Sequence, residues 1–162
     1  LGYVYFLKGM YPYAFPSFGA ARMGAPMNAF VRVDDKPVLL KSQIYEPDYL
    51  MIMDATLMKG FNCFSGLTEN GIAIINGKPE EVEIPKVKSK QKVYCVPAND
   101  IAMKTIGRPL GNTALLGVYA ATTGQFELDI LIEALKKKFS GKVQEGNIEA
   151  AKQGYAFVKS IK

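Results

Sequence analysis

The chain has 162 residues, 49% hydrophobic and 22% charged, with 20 Lys and Arg against 15 Asp and Glu. That balance belongs to a soluble protein with a packed core, not to a disordered chain. With no His and 2 Cys, this chain by itself excludes a Ser-His-Asp triad, an imidazole-ligated metal and the four thiolates of an iron–sulfur cluster.

The net charge of +5 permits an acidic or anionic partner without demanding one. The lysines are dispersed, and their densest run, Lys86 to Lys92, has no interleaved aromatics. No nucleic-acid surface is read from it. Cys63 and Cys95 each lie in an apolar stretch, far apart and without CxxC spacing. They read as two buried thiols in a reducing compartment, so the expected location is cytoplasmic. No apolar segment approaches the roughly 20 residues that span a bilayer. Leu1 to Leu7 has no basic flank and is not read as a signal peptide.

In chain order, Gly2 to Lys8 is short, apolar and aromatic, and fits a helix end or a strand equally. Tyr11 to Phe15 reads as extended, because Pro12 and Pro16 resist helix. Ser17 to Pro26 is a small-residue loop with one charge, Arg22. Met27 to Val33 alternates, Asp34-Asp35-Lys36-Pro37 punctuates, and Val38 to Ser42 is extended again, which predicts a β-hairpin. Tyr49 to Met53, Gly71 to Ile75 and Lys92 to Val96 are continuous apolar runs, typical of strands covered on both faces.

The period then changes. Asn99-Asp100 is read as the cap of a helix over Ile101 to Ile106, and Asn112 as the cap of one from Thr113 towards Thr123, ended by Gly124. Glu127 to Phe139 carries the stripe Leu128, Leu131, Ile132, Leu135 and Phe139, with Gly141 as its stop. Asn147 is read as the cap of a last helix whose face is Ile148, Ala151, Tyr155 and Val158. The predicted class is α/β: a three-layer α/β/α domain over residues 1–162 with a mixed sheet. An antiparallel hairpin lies near the N-terminus and the helices gather in the C-terminal half.

Three features bear on chemistry. The Gly/Ala loop around Arg22 admits a phosphate or another backbone, with Arg22 as a bidentate donor; it also reads as a plain loop with a solvated arginine. The strand ends Asp54, Asn76 and Pro97-Ala98-Asn99 lie where an open α/β sheet lines its ligand crevice; they also read as turn residues and caps. In Gly111-Asn112-Thr113, Asn112 can offer its amide to a ligand or partner, or cap a helix. Neither GxGxxG nor GxxxxGK[ST] occurs. The chain reads as one that shapes a site or a complex, without chemistry of its own.

The string YPYAFPSFGAARMGAPMNAFVRVDD at Tyr11 to Asp35 resembles the gamma subunit of the 2-oxoacid:ferredoxin oxidoreductases, most closely the pyruvate type. The likeness continues through Lys41 to Tyr49, the strand Leu50 to Asp54, Gly66-Leu67, and the strand ending at Asn76-Gly77. It then takes in Pro97 to Ala102, Gly111 to Gly117, Asn147 to Ala151, and Gly154-Tyr155. Two departures stand out. The family's GRGGQG-like stretch is absent, so the first strand and its glycine-rich loop are expected to be missing from this chain. Ala20, Ala21 and Met23 replace the family's Pro, Glu and second Arg, leaving Arg22 as the loop's one charge.

The resemblance implies a complex that oxidatively decarboxylates a 2-oxoacid to acyl-CoA and reduces ferredoxin. Thiamine diphosphate and iron–sulfur clusters are implied to sit in alpha, beta and delta-type partner subunits, with no cofactor bound by this chain alone. Expected cofactor-side residues are Arg22, Ser17, Gly19, Gly24 and Asn112, at the coenzyme A side or a subunit interface; no catalytic residue and no metal ligand is assigned. The alternatives are a 2-oxoglutarate or branched-chain 2-oxoacid enzyme, or a non-catalytic nucleotide-binding or structural module.

Overall fold

Parallel and antiparallel strand pairings occur in separate sheets, and each sheet belongs to its own compact unit of the computed structural model, 1–45 and 46–162. Residues 1–17 and 26–160 are described. The segment that reads equally as helix or strand is a helix, α1 (Gly2–Leu7), which buries Val4 and Tyr5. In the same unit, β1 (Tyr11–Ser17) pairs antiparallel with β2 (Asn28–Asp34), from Tyr11 opposite Asp34 to Ser17 opposite Asn28. Pro12 and Pro16 are tolerated in β1 because a strand with one partner needs its N–H groups on one side only.

The hairpin therefore forms from different strands than the sequence suggests. Val38 to Ser42 is not a strand. Pro37 removes a ladder donor at its start, and β1 already occupies β2. Arg32 Nη2 instead donates to the carbonyls of Ser42 (3.3 Å) and Gln43 (3.1 Å), and Gln43 Nε2 donates to Ser17 Oγ (3.0 Å). The segment is thus tied by side chains to both strands.

The second unit is built on the parallel sheet β3 (Tyr49–Ile52), β4 (Ile72–Asn76) and β5 (Lys92–Val96), with β4 in the centre. The apolar runs are central for the expected reason: Ala73, Ile74 and Ile75 are at most 1% exposed. Ile52, Ile75 and Cys95 share one face, covered by Ala55, Met58, Cys63, Phe64 and Val82 from a 3-10 turn (Ala55–Lys59) and the crossover loops. The other face is covered by helices. Of these, α3 (Asn112–Thr123) lies between β4 and α5 (Gly141–Ser160), while α2 (Ala98–Thr105) and α4 (Leu128–Lys138) flank α5. The helices gather in the C-terminal half and the class is α/β, as expected.

Three predicted caps are corrected. α2 begins at Ala98, so Asn99 is inside its first turn. α3 begins at Asn112, because Gly111 already has helical angles. α5 begins at Gly141 and carries Asn147 in its interior. There Asn147 is 6% exposed; its Oδ1 accepts from Thr113 Oγ1 at 2.7 Å and its Nδ2 donates to the Val143 carbonyl at 2.8 Å. Gly141 opens α5 and does not stop α4, whose C-cap is Phe139. The last carbonyls of α4 find a donor in Gln144 Nε2, which reaches Phe139 O at 2.7 Å and Lys136 O at 3.1 Å.

Gly117 of α3 and Gly154 of α5 bring those helices together. A Cβ on Gly117 would strike the carbonyl oxygen of Ala151, and one on Gly154 that of Ala114. Such contact between backbones is open only to glycine.

Candidate functional site

The carboxyl ends of β3 and β4 and the starts of α2 and α3 enclose a cleft of about 500 Å³. Met53, Asp54, Asn76, Asn99, Pro109, Leu110, Gly111 and Asn112 line it. Two features that the sequence separates by many residues, the strand ends and Gly111-Asn112, thus meet in one place. The topology places them there, since parallel strands end on one side of the sheet and the following helices start from that side.

A relay of carboxamides builds the floor. Asn76, 8% exposed at the end of β4, donates from Nδ2 to the Met53 carbonyl at 2.9 Å. Its Oδ1 accepts the Asn99 N–H at 3.2 Å. Asn99 Oδ1 in turn accepts the Gly111 N–H at 3.2 Å. A strand residue therefore supplies the acceptor that a side-chain cap would have given α2, and α2 supplies one to the start of α3. Each such bond contributes about 1 kcal/mol net, but losing one partner of a buried pair costs more than that. Gly111 completes the junction: a Cβ there would lie 2.7 Å from the backbone carbon of Ala98 and 2.9 Å from the N of Asn99.

Asp54 sits on the rim. Its Oδ1 accepts from the N–H (2.9 Å) and hydroxyl (2.7 Å) of Thr56. The Thr56 hydroxyl first, and then its N–H, hold the Asp54 carboxyl below its ordinary range. Both bonds favour the charged form, so Asp54 is a carboxylate at neutral pH. Met53 and Leu110 add apolar surface, 44% and 55% exposed.

Asn112 is exposed at the first position of α3, with no side-chain cap on that helix. Asn112 is among the lining residues of the cleft, and because the N-cap position of α3 is Gly111, the cap reading of Asn112 is corrected. Ser17 lies at the end of β1 in the other unit, where its hydroxyl is engaged by Gln43. Gly19, Arg22 and Gly24 lie outside the described residues. Met53, Pro109 and Leu110 were not legible as lining residues; the helix-stopping Pro109 beside Gly111 was the available sign of a loop between α2 and α3. Among the described residues, no group of three or more His, Cys, Asp or Glu is placed to hold a metal ion. The chain's two cysteines do not by themselves supply the four thiolates of an iron–sulfur cluster.

Comparison with known proteins adds the family. The pyruvate ferredoxin/flavodoxin oxidoreductase family matches residues 1–157. The pyruvate/ketoisovalerate oxidoreductases common subunit gamma of Pyrococcus furiosus is 43% identical over 152 residues, covering 93% of this chain and 82% of that one. Among solved structures, the pyruvate oxidoreductase subunit PORC of Thermotoga maritima superposes with a TM-score of 0.81 at 33% identity, covering 96% of this chain and 84% of that one. The 2-oxoglutarate:ferredoxin oxidoreductase of Magnetococcus marinus, solved with 2-oxoglutarate, coenzyme A and succinyl-CoA, shares the fold with a TM-score of 0.77 at 17% identity. It covers 98% of this chain and 27% of that longer one. A match over nearly the full length means that the chain belongs to the pyruvate ferredoxin/flavodoxin oxidoreductase family, as a gamma-type subunit of an oxidoreductase.

Proposed function

We propose that this chain is the gamma-type subunit of a cytoplasmic complex that oxidatively decarboxylates a 2-oxoacid, pyruvate first, to its acyl-CoA and passes the electrons to ferredoxin. Thiamine diphosphate and the iron–sulfur clusters reside in alpha, beta and delta-type partners. The chain organises the complex and its coenzyme A side. The observation that carries this reading is the gamma subunit of Pyrococcus furiosus, whose name makes it common to pyruvate and ketoisovalerate oxidoreductases. A subunit shared by two enzymes does not choose between their 2-oxoacids. The same division suits a cleft of carboxamides and one ionised carboxylate, which offers hydrogen bonds and no activated nucleophile.

Reconstitution tests it. The assembled complex should oxidise pyruvate with coenzyme A and ferredoxin, and the isolated chain should not. Turnover by the chain alone, or failure to assemble with thiamine- and cluster-bearing partners, overturns the reading. A panel of pyruvate, 2-oxoisovalerate and 2-oxoglutarate decides the substrate, and the shared gamma subunit makes the branched-chain acid the second to try.

The proposed cofactor-side residues are Arg22, Ser17, Gly19 and Gly24 and, separately in the other unit, Asn112, each at the coenzyme A side or at a subunit interface. Arg22 suits a phosphate because a guanidinium gives two parallel hydrogen bonds to one anion. Arg22→Ala in the complex should weaken coenzyme A about tenfold or more. Unchanged affinity in an intact complex makes Arg22 an ordinary surface charge.

A further inference from the structure

We infer that the end of the helical layer where α2, α4 and α5 meet docks a carboxylate-rich surface of another subunit, through Lys104, Lys136, Lys138 and Lys142. This rests on the reading above, which makes the chain one subunit among several. Three helix ends are pinned together there. The last turn of α2 lies against the second turn of α5, where a Cβ on Gly146 would stand 2.6 Å from the Thr105 carbonyl oxygen. The end of α4 folds onto the first turn of α5, because Gln144 Nε2 donates to the carbonyls of Phe139 (2.7 Å) and Lys136 (3.1 Å). Lys104 is thereby brought to the lysines of the α4–α5 turn, from which it is remote in sequence. All four lysines are exposed, and none forms an ion pair among the described residues. The neighbouring Lys137 does, with Glu133 at 2.7 Å, and Glu145 is the next carboxylate along α5.

Local helix physics accounts for part of this charge. Lys104, Lys136 and Lys138 lie in the last turns of α2 and α4, where cations complement the negative end of the helix dipole. Lys142 has no such reason. It lies in the first turn of α5, the positive end, where no acidic residue offsets it. A local rule broken without a gain inside the chain points to a gain outside it. What this end lacks is negative charge, so the partner supplies carboxylates. Phe139 and Val143, 37% and 54% exposed, lie in the same turn and give the lysines a small apolar centre. An apolar centre with a charged rim is the arrangement of a protein interface. One phenylalanine and one valine offer too little apolar surface to hold a membrane, and the turn has no second ring on which bases could stack.

The experiment uses the assembled complex, first shown to turn over with the unmodified chain. The dissociation constant of this chain from the remaining subunits is measured at low and at high salt. The variants are Lys142→Glu, Lys142→Arg, and Lys138→Glu combined with Lys142→Glu. Lys86→Glu combined with Lys88→Glu, in the lysine run before β5, is the control for net charge. Binding of the chain to phosphatidylserine vesicles is read alongside.

Lys142→Glu should weaken association roughly fivefold to tenfold at low salt and less at high salt. The Tm of the chain should hold or rise, because the new carboxylate suits the start of α5. A lysine with a merely structural role would not separate these two readouts. Lys142→Arg keeps the affinity, and the double reversal loses more than the single one. The inference is overturned if neither reversal moves the dissociation constant, or if the loss tracks a fall in Tm. It is equally overturned if Lys142→Arg or the Lys86 and Lys88 control loses as much, or if the loss appears only in vesicle binding. Failure of the unmodified chain to assemble is a separate result, and it overturns the functional reading itself.

Discussion

The Asn76 side chain ties β4 to the end of β3 and to the start of α2. Replacing it by Ala leaves the Met53 carbonyl and the Asn99 N–H without their partly buried partner. Asn76→Ala should cost about 2–4 kcal/mol, read as a lowered midpoint of denaturant unfolding. Asp54 gives the pH dependence. Its folded carboxyl titrates below the ordinary 3.8 because Thr56 donates twice to the charged form. A group depressed in the folded state contributes stability above its unfolded value and loses it as pH falls through the folded value. Acid unfolding should therefore draw on Asp54 below about pH 4, and Asp54→Asn should flatten that part of the stability profile. A carboxyl titration followed by NMR, with its midpoint at or above 3.8, would contradict the assignment. The two thiols separate as well. Cys95 is buried, and burial pushes its thiol pKa up, while Cys63 is half-buried. Iodoacetamide should label Cys63 first in the native chain, as read by peptide mass spectrometry.

At the scale of elements, the parallel strands and the end of α3 were legible because composition alone carries them. Central strands must be apolar on both faces, and Gly124 ends α3 with the left-handed φ of +63° that glycine accepts freely. The caps were not legible, because each asparagine looked local and acts at a distance. Asn76 serves α2, Asn99 serves α3, and Asn147 meets Thr113 on another helix. The hairpin was misread for a related reason: alternation marks a strand but does not say which segment pairs with it. The α3–α5 crossing yields a sharp test. Gly154→Ala places a methyl against the carbonyl of Ala114, between backbones that have no side chain to move aside. The expected cost is about 3 kcal/mol or more, seen as a fall of several degrees in Tm. Gly124→Ala, where nothing lies within 4 Å of the added Cβ, should cost only the strain of the positive φ.

At the scale of the whole molecule, the chain forms two compact units of unequal core. The 46–162 unit centres on β4, α3 and α5, and holds nearly all of the fully buried side chains. The 1–45 unit rests on a two-stranded sheet and a short helix, with Val4 and Tyr5 buried. A lone two-stranded sheet is marginal in water. Amide hydrogen exchange of the chain without partners should therefore be fast in β1 and β2 and slowest in β4, α3 and α5. Equal protection in both units would show that the small unit is stabilised by something other than its own core. The amino-acid sequence by itself determined the α/β class, the order of buried strands and late helices, and the resemblance to a gamma-type oxidoreductase subunit. The tertiary structure alone decided that Asp54, Asn76, Asn99 and Asn112 line one cleft. Period and composition report the local environment of each residue, whereas convergence comes from parallel strands ending together and from carboxamides bonding across long stretches of chain.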